Sequence, residues 1–444
     1  MHGPPGRRAL RPHPPAAPYA AAVTDWAARV LDEVDAGAGA AVTRLGELVR
    51  VPSVGGADAE HEIQAMLAAE LRGNGLEVDH WPLPLPDLLA EPDFPGVEVE
   101  RSEAWGLVGR LPGRGDGAGL MLNGHVDVVP AGDPAAWSRP DPFSGQVVDG
   151  ELHGRGACDM KGGLVAAVAA VAAVRRAGVP LRGDLLLACV PGEEDGGLGT
   201  YATLRRGWRA DACVVPEPTS LQLVPANAGA LTFRLTVQGR ATHASRRTEG
   251  VSALEKLLPV LAALDRLEAR RNADVDPLMA RWPIAYPLSI GTVSAGDWAS
   301  TVPDRLVAEG RLGVALDEPV DSARRALETA VAEACAGDPW LREHPVEVTW
   351  WGGQFASGRL PAGSDLLQRV RDAHRAAGGA AQETWGGPYG SDLRLLTGAG
   401  IPTLHYGPGE SALAHAADER VPVDEVLHCA RTLALLALDV CGVA

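Results

Sequence analysis

Short apolar runs in this chain stop repeatedly at imidazole or acidic residues. Leu120-Met121-Leu122 passes through Asn123-Gly124 into His125 and Asp127. The run 185–190 ends in Pro191-Gly192-Glu193-Glu194-Asp195, and 212–215 ends in Pro216-Glu217-Pro218. Short apolar runs of this kind, closed by Gly and Pro, read as strands buried on both faces. If the chain stays extended past 125, His125 and Asp127 share a face. In open α/β sheets that edge, beyond the carboxyl ends of the strands, is where ligands bind.

Between these runs the spacing is helical. Trp26, Val30, Leu31 and Val34, then Leu45, Leu48 and Val49, predict a helix over 24–51 that Pro52-Ser53 ends. A second helix spans 58–74 and Gly75 closes it; a strand follows at 76–81. The next strand, 105–111, is expected to pair with 119–123. A long loop over 130–150, holding Trp137 and Phe143, is of the kind that lines a site. Gly154-Arg155-Gly156-Ala157-Cys158-Asp159-Met160-Lys161-Gly162-Gly163 leads into an Ala/Val-rich helix, so Asp159 sits close to a helix N-terminus. That loop lacks the GxxxxGK[ST] pattern of a phosphate cradle.

After Gly229 the pattern changes. Strand 231–238, helix 252–271, strands 288–293 and 306–316, helix 320–336 and strand 346–350 follow in the order βαββαβ, the ferredoxin-like split βαβ arrangement. From Gly352 the chain returns to the first pattern with a helix at 364–377, Ser391-Asp392 before another helix, strand 402–406, Gly407-Pro408-Gly409, His415 and a helix at 423–440. The expected architecture is a two-domain α/β protein. A mixed-sheet domain is built from 24–228 and 352–444, and a βαββαβ domain is inserted at 229–351. The Pro-rich residues 1–23 read as a disordered lead-in without the apolar core of a signal peptide.

A chain of 444 residues suits two cores better than one. The net charge of -17 argues against nucleic acid or an anionic membrane surface as partner. The apolar run 164–174 is about half the ~20 residues a membrane span needs and reads as a buried helix. Six cysteines without CxxC pairing read as buried thiols in a reducing compartment, so a cytoplasmic location is expected. Cys158, although inside the Gly-rich loop, reads as packing.

The ionisable groups at the strand ends are His125, Asp127, Asp159, Glu193, Glu194, Glu217 and His415. Converging without cations, they would repel and could not all stay charged. A pair of divalent ions resolves this, and mixed imidazole–carboxylate ligation suits catalytic zinc, or cobalt or manganese. Asp159, central in sequence, is the candidate bridge. One ion would take His125 and Glu217, the other Glu194 and His415, with Asp127 fixing the tautomer of His125. Of the adjacent Glu193 and Glu194, one is a ligand and the other is free to act as general base. The reaction expected is amide hydrolysis by an activated water.

Taken together, GHVDVVP, GRGACDMKGG, PGEEDGG, PEPT, GRATHAS and Ala414-His415 resemble, in this order, one family of dinuclear metallohydrolases. It includes acetylornithine deacetylase, succinyl-diaminopimelate desuccinylase, aminoacylase and glutamate carboxypeptidases. The resemblance covers nearly everything after about residue 40. It implies the same ligand sets, with Asp159 bridging, Asp127 orienting His125, and Glu193 as the base. It further implies that His243 reaches from a lid into a partner subunit's site to steady an oxyanion, and hence a homodimer built on the inserted domain. Gly407 and Gly409 would line the site with backbone groups. The sequence departs from the family where Ser300-Thr301-Val302-Pro303 stands in place of a lid motif that often begins with Asn. Arg311 is a candidate for binding a substrate carboxylate.

Each residue alone has a plainer reading: His125 or His415 as a satisfied histidine, Glu193-Glu194 as a solvated turn, Asp159 as a helix cap. Only the set argues for chemistry. The expected activity is removal of an N-acyl group from an amino acid or similar small amine, with a dipeptidase or carboxypeptidase as the alternative. An unusual amide, such as a formylated or carbamoylated heterocyclic amine, is also compatible with the altered lid. A metal-bound protein without turnover is the rival from another class, and the intact Glu193, Glu194 and His243 argue against it.

Overall fold

Helices and strands follow from residue 21 onward in a computed structural model that describes residues 21–444. The lead-in expected over 1–23 lies outside the described residues except for its last three, which open the helix Ala21–Ala36. The single helix expected over 24–51 is two, Ala21–Ala36 and Ala38–Arg50, broken at Gly37. Glycine in a helix interior is unfavourable by about 1 kcal/mol, and the helix is interrupted at that residue.

The larger sheet is mixed. Its strands run in the order Glu77–Pro82, Trp105–Leu111, Leu185–Val190, Leu120–His125, Ala212–Val215, Thr403–His405, Leu223–Asn227 and Gly358–Arg359, with Thr384–Gly387 also paired to Leu223–Asn227. Leu120–His125 lies between two parallel neighbours, Leu185–Val190 and Ala212–Val215. The expected pairing of 105–111 with 119–123 is therefore corrected: Leu185–Val190 stands between them, antiparallel to Trp105–Leu111. Interposing that strand places the Glu193-Glu194 turn directly beside His125.

Both faces of this sheet are covered, which explains the unbroken apolar runs. Leu120, Leu122, Leu185 and Leu187 point to a core shared with the helices Gly162–Arg176 and Val423–Cys441. Met121, Leu186 and Ala188 point the other way, toward Leu198, Tyr201 and Leu396. The segment Ala157–Arg176 is apolar and long enough to cross a membrane, yet 89% of it is buried inside the protein. Lys161, fully buried, donates to the carbonyls of Leu48 and Val51 at 2.9 and 2.8 Å and so ties the end of Ala38–Arg50 to the Gly-rich loop.

A separate four-stranded antiparallel sheet has the order Leu288–Ala295, Arg305–Val314, Gly229–Gln238, Glu347–Phe355. That is the spatial order of a βαββαβ sandwich. Its helices Ala253–Arg271 and Val320–Gly337 pack on the face presented by Leu231, Phe233, Leu235 and Val237. The last strand, expected to end at Trp350, runs on to Phe355 and pairs there with Ala230. Entry and exit thus lie side by side, next to the pairing of Gly358 with Asn227.

Gly163 opens the core helix where it passes closest to the strand end carrying Glu217. A Cβ there would lie 1.8 Å from the carbonyl oxygen of Pro216. Gly163→Ala should therefore lower stability by about 1–3 kcal/mol or more, because that backbone cannot move aside. A urea unfolding midpoint equal to that of the unaltered protein would contradict this packing.

Candidate metal centre

Three strand ends of the larger sheet, the Gly-rich loop and the irregular segment after Thr403–His405 bring the expected side chains to one place. His125 is the last residue of its strand and is 1% exposed. Its Nε2 lies 3.0 Å from Asp159 Oδ1 and 3.8 Å from Glu217 Oε1. On the other side, His415 Nε2 lies 3.0 Å from Glu194 Oε2 and 3.6 Å from Asp159 Oδ2. Asp159 therefore turns one carboxylate oxygen toward each histidine. Ligand atoms of His125, Asp159 and Glu194 lie within 4.8 Å of one another, as do those of His125, Glu193 and Glu217.

Asp127 is completely buried and accepts from the backbone N–H groups of Glu193 and Glu194, both at 3.2 Å. His125 Nδ1 is 2.8 Å from the Asp127 carbonyl oxygen and 3.7 Å from its carboxylate. The main chain of Asp127 is thus the nearer partner of the imidazole, while its side chain fixes the Glu193-Glu194 turn. The following residue, Asp195, accepts from Arg101 at 2.9 Å, and Arg101 also grips Glu60 at 2.9 Å. This buried Glu60–Arg101–Asp195 group anchors the turn from beneath.

Burial pushes the carboxyl groups of Glu193 and Glu217 well above the usual carboxylate range, and the neighbouring acids push them further. Burial also works against charge on His125, but the Asp159 hydrogen bond and the charges of Glu217 and Asp127 outweigh it and raise its pKa. Oxygen and imidazole donors at these separations fit divalent cations, which would relieve the repulsion among the acids. The Cys158 thiol is buried, raised in pKa, and 3.4 Å from the carbonyl of Glu410, so it is no ligand here. A cavity of about 230 Å³ opens onto the cluster, bordered by Asp159, Glu193, Glu194, Glu217, Tyr389 and His415. A larger groove of about 410 Å³ beside the helix Ala38–Arg50 contains none of these groups.

Other expected site residues lie elsewhere. His243 is exposed on the smaller domain, its Nδ1 2.7 Å from Ser245 Oγ. It bridges Thr301, so the two lid motifs adjoin each other. Arg311 is paired with Glu98 at 2.9 Å and lies over Phe355, outside the cavity wall. Gly407 and Gly409 are not on that wall either. Their backbone groups are already engaged: the Gly407 carbonyl accepts from Leu221 N at 2.9 Å, and the Gly409 N–H donates to Glu425 at 2.7 Å. Holding the turn after Glu217 is what both glycines do in this structure.

Sequence reasoning missed Glu419 and assigned no role to Arg155, although it quoted the loop that carries Arg155. It also passed over Tyr389 and Ser391, which border the cavity. No local signal marks Glu419, because its side-chain partners lie 260 to 264 residues away in the chain.

Comparison with known proteins agrees with the geometry. Residues 121–439 match Peptidase family M20/M25/M40. The chain is 35% identical over 401 residues to a succinyl-diaminopimelate desuccinylase of Methylobacterium sp. (strain 4-46), covering 85% of this chain and 90% of that one. It is 28% identical over 350 residues to an N-formyl-4-amino-5-aminomethyl-2-methylpyrimidine deformylase of Halalkalibacterium halodurans, covering 72% and 79%. The fold is similar to that of a dipeptidase of Saccharomyces cerevisiae, with TM-score 0.74, 16% identity and coverage of 93% and 98%. A dinuclear metal binding peptidase of Bacillus subtilis is similar at TM-score 0.58 and 17% identity, with coverage of 91% and 100%. Fold and site define a metal-dependent hydrolase of amide or peptide bonds. The chain belongs to the M20/M25/M40 peptidase family.

One neighbour of the centre titrates by itself. His405, fully buried with Nε2 2.8 Å from Ser391 Oγ, has its imidazole pushed down to about 3 by burial. The unfolded value is about 6.5, so the stability this residue contributes is complete above that pH and is lost as pH falls toward 3. Between pH 6.5 and 4 it should cost up to about 1.4 kcal/mol per pH unit. His405→Gln should flatten the decline in urea midpoint over that range by about one proton; an unchanged slope would contradict a neutral buried imidazole.

Proposed function

We infer that this protein is a dinuclear metal-dependent deacylase that hydrolyses the amide of an N-acyl amino acid or similar small N-acyl amine. The observation that supports this reading is Asp159 turning one carboxylate oxygen toward each histidine, with Glu193, Glu194 and Glu217 gathered in ligand range around them. His125, Asp159 and Glu217 would hold one ion, and Asp159, Glu194 and His415 the other, zinc before cobalt or manganese. Such ions acidify a water and polarise a carbonyl. Glu193, buried and held by its backbone bond to Asp127, would take the proton from that water and return it to the leaving nitrogen.

A second reading concerns the amine. Two arginines on the cavity side of the structure, Arg394 and Arg311, are engaged by other groups. Arg394 donates to the carbonyls of Ser391 and Gly196, both at 2.7 Å, and Arg311 pairs with Glu98. That favours a substrate without a carboxylate beside the scissile bond, such as the formylated heterocyclic amine named for the Halalkalibacterium relative, over a dipeptidase or carboxypeptidase substrate. Within the same reading the protein is a homodimer in which His243 acts on the partner's site. Its location is cytoplasmic, in keeping with six free, buried cysteines.

Metal-stripped protein should be inactive, and zinc, cobalt or manganese should restore hydrolysis within a panel of N-formyl amines, N-acyl amino acids and dipeptides. Selective dipeptide cleavage would replace the deacylase reading. Glu193→Gln should lower kcat by about 10²- to 10⁴-fold while two metal ions per chain remain by elemental analysis. Near-normal turnover in that variant would remove Glu193 from the mechanism.

A further inference from the structure

The two histidines of the centre are held very differently. His125 ends a central strand of the sheet and is almost wholly buried. His415 lies on an irregular segment with a left-handed φ of 61°, and its side chain is 53% exposed. Neither sheet pairing nor burial explains why it stays beside Glu194.

A buried ion pair supplies the answer. Arg155 Nη1 donates to Glu419 Oε2 at 2.5 Å, and the two side chains are 3% and 0% exposed. The other oxygen of Glu419 accepts from the backbone N–H of Cys158 at 2.9 Å and of Asp159 at 3.0 Å. Arg155 Nη2 donates to the carbonyl of His415 at 3.1 Å. Trp137, from the long loop over 130–150, covers the guanidinium at 5.4 Å, and the same loop is pinned by Ser138 to Asp418 at 2.8 Å. The pair therefore joins the main chain of the candidate bridging ligand to that of the exposed histidine, and the loop keeps water from it. A guanidinium can make these two bonds at once because its donors form a rigid planar fork, whereas an ammonium is a single point of charge.

We propose that Arg155 and Glu419 are positioning residues that set His415 relative to Asp159 and thereby determine how tightly the metal ion on the His415–Glu194 side is held. This rests on the dinuclear reading above. In Glu419→Gln the amide oxygen can still accept the two N–H groups, so Asp159 keeps its place while Arg155 loses its charge partner. In Arg155→Lys the ion pair can persist, but the bond to the His415 carbonyl is lost.

Cobalt(II) chloride titration of the metal-free full chain, followed by visible absorption, separates these cases without any substrate. The unaltered protein should bind two equivalents. Each variant should bind the first as before and the second at least 10-fold more weakly, with a changed absorption spectrum for that second ion. Two equivalents bound with unaltered affinities in a folded variant would overturn the proposal while leaving the dinuclear reading intact. Equal weakening of both ions in Arg155→Lys would overturn it too, as general destabilisation. Fewer than two equivalents in the unaltered protein would overturn both. If Glu419→Gln does not fold, Arg155→Lys alone decides.

Discussion

Like charge in a small buried volume is the constraint around which this molecule is built. Asp159, Glu193, Glu194 and Glu217 converge on one cavity, with the buried Asp392 raising the pKa of two of them from behind. Carboxylates at such distances oppose one another's ionisation, and burial adds to the cost. Left to side-chain preference they would separate. They stay because each belongs to a backbone that cannot retreat: Glu193, Glu194 and Glu217 follow the ends of strands packed between two apolar layers, and the amide of Asp159 is held by the buried Glu419. Hydrophobic burial on both faces of the sheet thus maintains an electrostatic arrangement that only cations, protons or the two histidines can relieve.

Strand ends alone would leave the turns beyond them free to relax. Two of the site's segments are therefore tied again by buried polar groups: Asp127 holds the amides of Glu193 and Glu194, Arg101 joins Asp195 to Glu60, and Glu419 holds the amides of Cys158 and Asp159. Buried ion pairs add little net stability relative to a well-packed apolar core, because desolvation offsets their attraction. Their consequence here is geometric: a partner removed leaves a stranded charge, so the turn is held in one arrangement or not at all.

Much of this was legible in the sequence, for a physical reason. Strands buried on both faces produce unbroken apolar runs, and a ligand at a strand's carboxyl end follows its run directly. His125, Glu194 and Glu217 could be found that way. Strand order could not, because Leu185–Val190 carries nothing that says it stands between Trp105–Leu111 and Leu120–His125. Leu223–Asn227, Thr384–Gly387 and Gly358–Arg359 were also missed, being short and interrupted by Pro, Gly or Asn. Residue type marked Arg311, Gly407 and Gly409 as able to meet a substrate. It could not show that Glu98, Leu221 and Glu425 already occupy their donors and acceptors.

The connection between the two sheets can be read in the same terms. The backbone N–H groups of Glu98 and Val99 donate to Asp195, next to Glu194, both at 3.1 Å. The Glu98 side chain reaches the smaller sheet through Thr232 at 2.8 Å and Arg311 at 2.9 Å. One short segment therefore touches both the Glu193-Glu194-Asp195 turn and the smaller domain. Its two ends are unequal. The Arg101–Asp195 pair is buried, whereas the Arg311–Glu98 pair is 41% and 26% exposed and belongs to a class worth about 0–1 kcal/mol. Of the two, the exposed pair is the weaker tie, so the Glu193-Glu194 turn is held by Asp127 and Asp195 independently of the contact between the two sheets.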